Sequence, residues 1–125
     1  SDPGVQIKNN MFSLVPTIAG NEKYGTDSRE GWMAYGYMGL LFIKKYHFYE
    51  NMSYTEHFNQ TNIFYTNKKL FAEMEPISPT ALLQPGEEYS YSENWYLIEY
   101  PPASDINFDI VKAAQFVKQY EYPSQ

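Results

Sequence analysis

Apolar and polar residues alternate along much of this chain, which is the period of a half-buried β-strand. "VQIK" and "MFSLVPTI" read as two short strands, the second interrupted at Pro16 and so suited to an edge. "WMAYGYMGLLFIKKYHFYE" reads as two strands, about 32–37 and 40–49, hinged near Met38-Gly39. Leu41 and Ile43 face away from Leu40 and Phe42, so the second of these is apolar on both faces and is expected at the centre of a sheet. "IFYT" and "LFAEME" form a hairpin across "NKK". A last long strand is expected over about 87–99, where Tyr89, Tyr91, Trp95 and Leu97 alternate with Ser90, Ser92 and Asn94. Glu93 breaks that rule, because it shares the aromatic side with Tyr91 and Trp95.

Between these runs, residues 19–31 ("AGNEKYGTDSREG") are turn-rich and polar and are expected to be a loop. "NMSYTEHFNQTN" is a second polar loop, long enough to invite a functional role. It carries two glycosylation-type triplets, at Asn51 and Asn59, which matter only in a glycosylating pathway. Residues 105–120 change period. Ile106, Ile110, Ala113, Ala114 and Val117 recur at helical spacing, with Asp105 or Asn107 as the expected cap. The reading is one domain over residues 1–125, with a flexible end at 1–4. Its fold class is all-β, an antiparallel sandwich with one C-terminal helix.

Composition sharpens this picture. Of 125 residues, 13 are Tyr, 8 Phe and 2 Trp. Aromatics pack well on pleated surfaces, and tyrosine offers both a flat apolar face and a hydroxyl for binding. The net charge of −6 argues against a nucleic-acid partner held through phosphates. The Lys44-Lys45 and Lys68-Lys69 pairs are too small to reverse it. The chain has no cysteine, hence no disulfide framework and no thiolate chemistry. No apolar run approaches the ~20 residues needed to span a bilayer, so no membrane partner is expected. "SDPGVQIKNN" contains no signal-peptide core. No cofactor and no metal are expected, since the His, Glu and Asp spacings match no ligand template.

Three groups of residues can carry chemistry. Glu73 and Glu75 are two apart on one strand, about 6.5–7 Å along it. Desolvated together they repel, one pKa rises, and proton transfer becomes available; on an outer face they are simply solvated. Glu93, between Tyr91 and Trp95, must be paired, hydrogen-bonded or placed in a cleft. The plainer form of that is an ion pair with a lysine or Arg29. His47 and His57 are candidate general acids or ordinary surface histidines. Rings on a sheet face with carboxylates and amides nearby are the ingredients of a sugar site. The same rings can equally fill a tyrosine-rich core.

"EGWMAYGYMGLLFIKKY" followed by "LFAEMEPISPTALLQPGEEYSYSENWYL" resembles the C-terminal half of galactose-mutarotase-like proteins. It is nearer to an uncharacterised bacterial branch of that superfamily than to true aldose epimerases. The matching elements are Gly31-Trp32 with the "LLFIKK" strand, the Glu-x-Glu of Glu73 and Glu75, Pro79, the run Leu83 to Glu87, and the Glu-x-Trp of Glu93 and Trp95. The resemblance implies a large antiparallel sandwich that binds carbohydrate on one concave sheet, with Glu73 or Glu75 matching the base. Proteins of this kind are usually more than twice as long and take their catalytic histidines from the part with no counterpart here. The chain is therefore expected to be a fragment, an excised domain or a shortened relative. Exposed sheet edges or faces on a half sandwich then imply a homodimer.

The functional expectation is a mutarotase-like carbohydrate-binding domain taking a sugar or uronic-acid ligand. Its ligand face is expected to use Arg29, Glu93 and Trp95 with Tyr91 and Trp32 as stacking rings, alongside Glu73 and Glu75. Two alternatives stand beside it: an epimerase-like enzyme using Glu73 or Glu75 with His57, and a structural or assembly module with no ligand.

Overall fold

The computed structural model describes residues 4–15, 22–54, 60–66 and 71–124. The strands are β1 (Val5–Lys8), β2 (Met11–Leu14), β3 (Glu22–Thr26), β4 (Trp32–Tyr37), β5 (Leu40–Tyr46), β6 (Asn62–Thr66), β7 (Ala72–Pro76) and β8 (Glu93–Glu99), followed by the helix α1 (Ile110–Gln119). They form three antiparallel sheets, ordered β1-β2, β3-β6-β7 and β4-β5-β8. The protein is thus all-β with one C-terminal helix. Pro16, His57, Asn59, the "NKK" turn and Leu70 lie outside the described residues.

Two hairpins follow directly from their turn residues. Met38 and Gly39 take φ of 51° and 77°, and Asn9 and Asn10 take 52° and 59°. Two consecutive left-handed residues make the turn whose twist matches antiparallel strands. Asn tolerates that conformation and Gly adopts it without strain. Gly4 is buried and accepts the Val15 backbone N–H at 2.9 Å, which closes the β1–β2 hairpin.

β5 is the central strand of its sheet, as its two apolar faces require. On one face Leu41 and Ile43, 2% and 0% exposed, pack with Tyr100, Ala103, Ala113 and Val117. The register places Trp32, Ala34, Tyr96 and Ile98 on that same face, and α1 covers it. The small residues Ala103 and Ala113 let the helix approach closely. Each fully buried aliphatic side chain here contributes about 1.5–3 kcal/mol.

The opposite face carries Met33, Tyr35, Tyr37, Phe42, Lys44, Tyr46, Glu93, Trp95 and Leu97. The β3-β6-β7 sheet reaches it at one end only. Asn62 Nδ2 donates to the Tyr46 hydroxyl at 2.9 Å, and Lys44 Nζ donates to the Met74 carbonyl at 2.8 Å. Met33 is buried there, whereas Tyr35 and Tyr37 further along β4, and Trp95 and Leu97 on the edge strand β8, remain exposed. The two sheets form a sandwich that is open at one end.

Four points differ from the sequence reading. β3 lies inside the stretch expected to be a loop; "EKYGT" has one large apolar residue, Tyr24, which packs on Phe12 with ring centres 5.8 Å apart. The strand expected over 40–49 ends at Tyr46. The strand expected over 87–99 begins at Glu93, because Glu93 pairs with Tyr46 and no ladder continues beyond it. The helix expected over 105–120 starts at Ile110. A 3₁₀ turn, Pro101–Ser104, comes first, and the Asp105 carboxylate closes a local turn by accepting from Asn107 N at 2.8 Å. The cap is Asp109, which accepts from Lys112 N at 3.1 Å.

Candidate functional site

The open face of the β4-β5-β8 sheet is built by alternation. Residues directly opposite on antiparallel strands share a face, so Tyr35, Phe42 and Leu97 form one row, and Met33, Lys44 and Trp95 the next. Trp95 is 63% exposed and Leu97 69%. Around the enclosed Met33 and Lys44 the face thus exposes Tyr35, Trp95 and Leu97, and exposed apolar groups set close together are a feature of interaction surfaces.

Trp95 is nevertheless held in place. Its indole N–H donates to Glu93 Oε2 at 2.7 Å. The Phe42 ring meets it edge-on at 5.6 Å between centres. The Lys44 ammonium lies 5.0 Å from the ring centre, a cation–π contact, and 3.5 Å from the same Glu93 oxygen. Lys44 is largely enclosed, with 15% of its side chain exposed, and its remaining partner is the Met74 carbonyl. Glu93 is thus satisfied by a neighbouring-strand lysine and by the indole it shares a face with. This is the ion-paired form of the carboxylate on an aromatic face.

A second feature lies at the end of the sheet where β4 begins and β5 stops. Two shallow depressions of ≈ 620 and ≈ 580 Å³ adjoin there, and both include Tyr46, His47 and Tyr49. Arg29 and Glu30 wall the first, and Ser92, Tyr91 and Asn94 the second. The Arg29 guanidinium lies 5.6 Å from the centre of the Phe48 ring. His47 meets Tyr49 edge-on at 4.4 Å. The Tyr91 hydroxyl donates to the His47 carbonyl at 2.8 Å, tying the segment before β8 to the end of β5. Burial is the main reason the Tyr91 phenol is pushed far above its usual range, with the phenols of Tyr54, Tyr46 and Tyr49 adding to it. Burial also pushes Tyr46 up to about 12, against the hydrogen bond from Asn62. Both hydroxyls stay protonated throughout the physiological range.

The sequence candidates therefore separate into distinct places. Glu93 and Trp95 meet on the open face. Arg29 and Tyr91 line the depressions beyond its covered end. Trp32 sits on the other side of the sheet, opposite Lys45, packed against the helix core and not available beside Trp95. Glu73 and Glu75 pair with Tyr65 and Ile63. They project from the face of β7 opposite to the one Asn62 uses to reach Tyr46. Neither lines either depression, and Glu73 is exposed. His57 lies outside the described residues. Among the described residues no group of three His, Cys, Asp or Glu side chains is placed to hold a metal, and no helix is long and apolar enough to cross a membrane.

Sequence reasoning did not single out Phe42, Lys44, Tyr35, Tyr37 and Leu97 as surface partners of Trp95. The signal was present in the β4–β5 turn: once Met38-Gly39 fixes the hairpin, the register of both strands follows. What the alternation alone did not say is which face the helix takes. No family model, no curated protein and no solved structure matches this chain.

Proposed function

We propose that this is a carbohydrate-binding domain of mutarotase-like type, taking sugar on the open face of the β4-β5-β8 sheet and acting by binding. The observation that carries the reading is Trp95: 63% exposed, yet held by Glu93, Phe42 and Lys44. An exposed indole fixed before binding loses little freedom when a ligand stacks on it. The axial C–H face of a pyranose matches such a ring, and the hydroxyls at its rim match a carboxylate and an ammonium. Tyr35 and Tyr37, stacked with centres 6.2 Å apart, continue the platform along the edge hairpin. An open row of rings suits several residues of an oligosaccharide better than one enclosed monosaccharide. Lys44 and Glu93 neutralise each other, so the face suits neutral sugars. Arg29, the candidate for a uronic-acid carboxylate, sits apart from it.

The test is a fluorescence titration of the Trp32→Phe variant, in which Trp95 is the remaining tryptophan, against a panel of neutral oligosaccharides. A saturable change with at least one sugar, abolished by Trp95→Ala in the wild-type background by calorimetry, is the expected result. A flat response across the panel contradicts the reading and leaves a module whose rings serve assembly.

A further inference from the structure

We propose that the outer edge of β8 is a docking site for an extended, cationic peptide strand. Hydrogen bonds fix which groups are free. Tyr100 N donates to Gly39 O at 2.7 Å, which continues the β5–β8 ladder. Backbone groups on a strand alternate in direction, so Ile98, Tyr96 and Asn94 also bond toward β5. The same phase follows from the other side of the sheet. Tyr46 N donates to Gly31 O at 2.9 Å, so Lys44 and Phe42 bond toward β4, and Lys45, Ile43 and Leu41 toward β8. The N–H and C=O groups of Glu93, Trp95, Leu97 and Glu99 therefore point away from the sheet. No described residue is bonded to them, and β8 pairs with β5 alone among the described strands.

Such an edge invites another strand. Lysine, arginine and proline are absent from "ENWYLIE", and its charges are the glutamates at its two ends. The free edge of β7 shows the contrast: its Met74 carbonyl is capped by Lys44. The outward set reads acid, apolar, apolar, acid, with Glu93 half-buried and Glu99 exposed. A second copy of β8 in the register of full overlap, turned about Tyr96, sets Glu93 against Glu99 of the copy, and like charges directly opposite oppose pairing. A strand with apolar residues at alternate positions flanked by lysines meets Trp95 and Leu97 with its apolar side chains and the exposed Glu99 with one of its charges, while Glu93 keeps Lys44 as its partner. The chain's net charge of −6 favours that encounter further. The proposal does not rest on the sugar reading, since its hydrogen bonds come from backbone groups at the edge, although the strand's side chains would share Trp95 with a sugar.

The test uses amide resonances of the isotope-labelled full chain. In the free protein, amides of Trp95, Leu97 and Glu99 should exchange faster with solvent than those of Asn94, Tyr96 and Ile98. The blocked peptide Lys-Thr-Val-Thr-Val-Thr-Lys should then shift and protect Trp95, Leu97 and Glu99 saturably. Leu97→Pro removes an outward donor without touching the β5 ladder, so it should leave the fold intact by circular dichroism and abolish binding. Glu99→Lys should weaken the basic peptide and favour its glutamate-ended counterpart. The proposal is overturned if the peptide perturbs none of these amides, if Glu99→Lys leaves affinity unchanged, or if sedimentation shows a dimer whose β8 amides are already protected.

Discussion

Glu93 and Trp95, two residues apart on β8, are joined by a 2.7 Å hydrogen bond from the indole nitrogen to the carboxylate. Lys44, one strand inward, reaches the same oxygen at 3.5 Å and lies under the indole ring. A carboxylate on an aromatic face is costly when alone. Here it organises the face instead, because it orients the exposed ring and neutralises a nearly buried ammonium that also ties the two sheets together through Met74.

Replacing Glu93 by Gln should therefore destabilise the fold, and do so through Lys44. The ammonium keeps the Met74 carbonyl and the indole face but loses its counter-charge, and the loss should be about 1–3 kcal/mol in a denaturant titration. Lys44→Met combined with Glu93→Gln should recover part of it, since removing both partners avoids the stranded charge. A double variant no more stable than Glu93→Gln alone would show that the pair is not coupled.

The core prediction concerns Ile43, fully enclosed between β5 and the helix. Ile43→Ala should cost about 2–5 kcal/mol by thermal or chemical unfolding. Leu97→Ala, on the open face of the same sheet, should change stability within about 0.5 kcal/mol. Similar losses at both sites would mean that the helix does not pack where the register puts it.

Asp109 should behave as the helix cap. Asp109→Ala removes the acceptor for Lys112 N, and about 0.5–2 kcal/mol should be lost. Asn107→Ala should have a smaller effect, because that side chain caps nothing among the contacts seen. The comparison separates the two candidate starts directly.

Alkaline pH should weaken the fold through its buried phenols. Tyr46 has a folded pKa of about 12 against an ordinary 10.0, and Tyr91 is raised as well. A raised pKa means the folded state holds the proton more tightly than the unfolded chain. The stabilisation is complete below pH 10 and is lost as pH rises from there toward 12. Tyr46→Phe should flatten that decline in unfolding free energy against pH. A wild-type profile flat from pH 9 to about 11.5 would contradict the assignment.

These outcomes also mark what the sequence could tell. The β4–β5 hairpin was legible because Met38-Gly39 sits between two runs of clear alternation, and β5 was legible as central because both its faces are apolar. β3 was not legible. Its strand character comes from pairing with β6, and its own residues are mostly polar. Residues 87–92 alternate well and still form no strand, since β5 has ended and no partner remains. Tyrosine hydroxyls anchor them to His47 and Pro79 instead. The candidate site was half visible. Alternation alone placed Glu93 beside Trp95. It gave no hint that Glu73 and Glu75 would project elsewhere or that Trp32 would face the helix, because those facts depend on how separate sheets pack.

The most direct measurement of the central claim is a correlation spectrum of the two indole N–H groups during titration with a neutral oligosaccharide. The Trp95 resonance should move saturably, together with the backbone amides of Phe42 and Leu97, while the Trp32 resonance stays in place. If no sugar in the panel moves the Trp95 indole, or if the response centres on Trp32, the open face is not a saccharide platform.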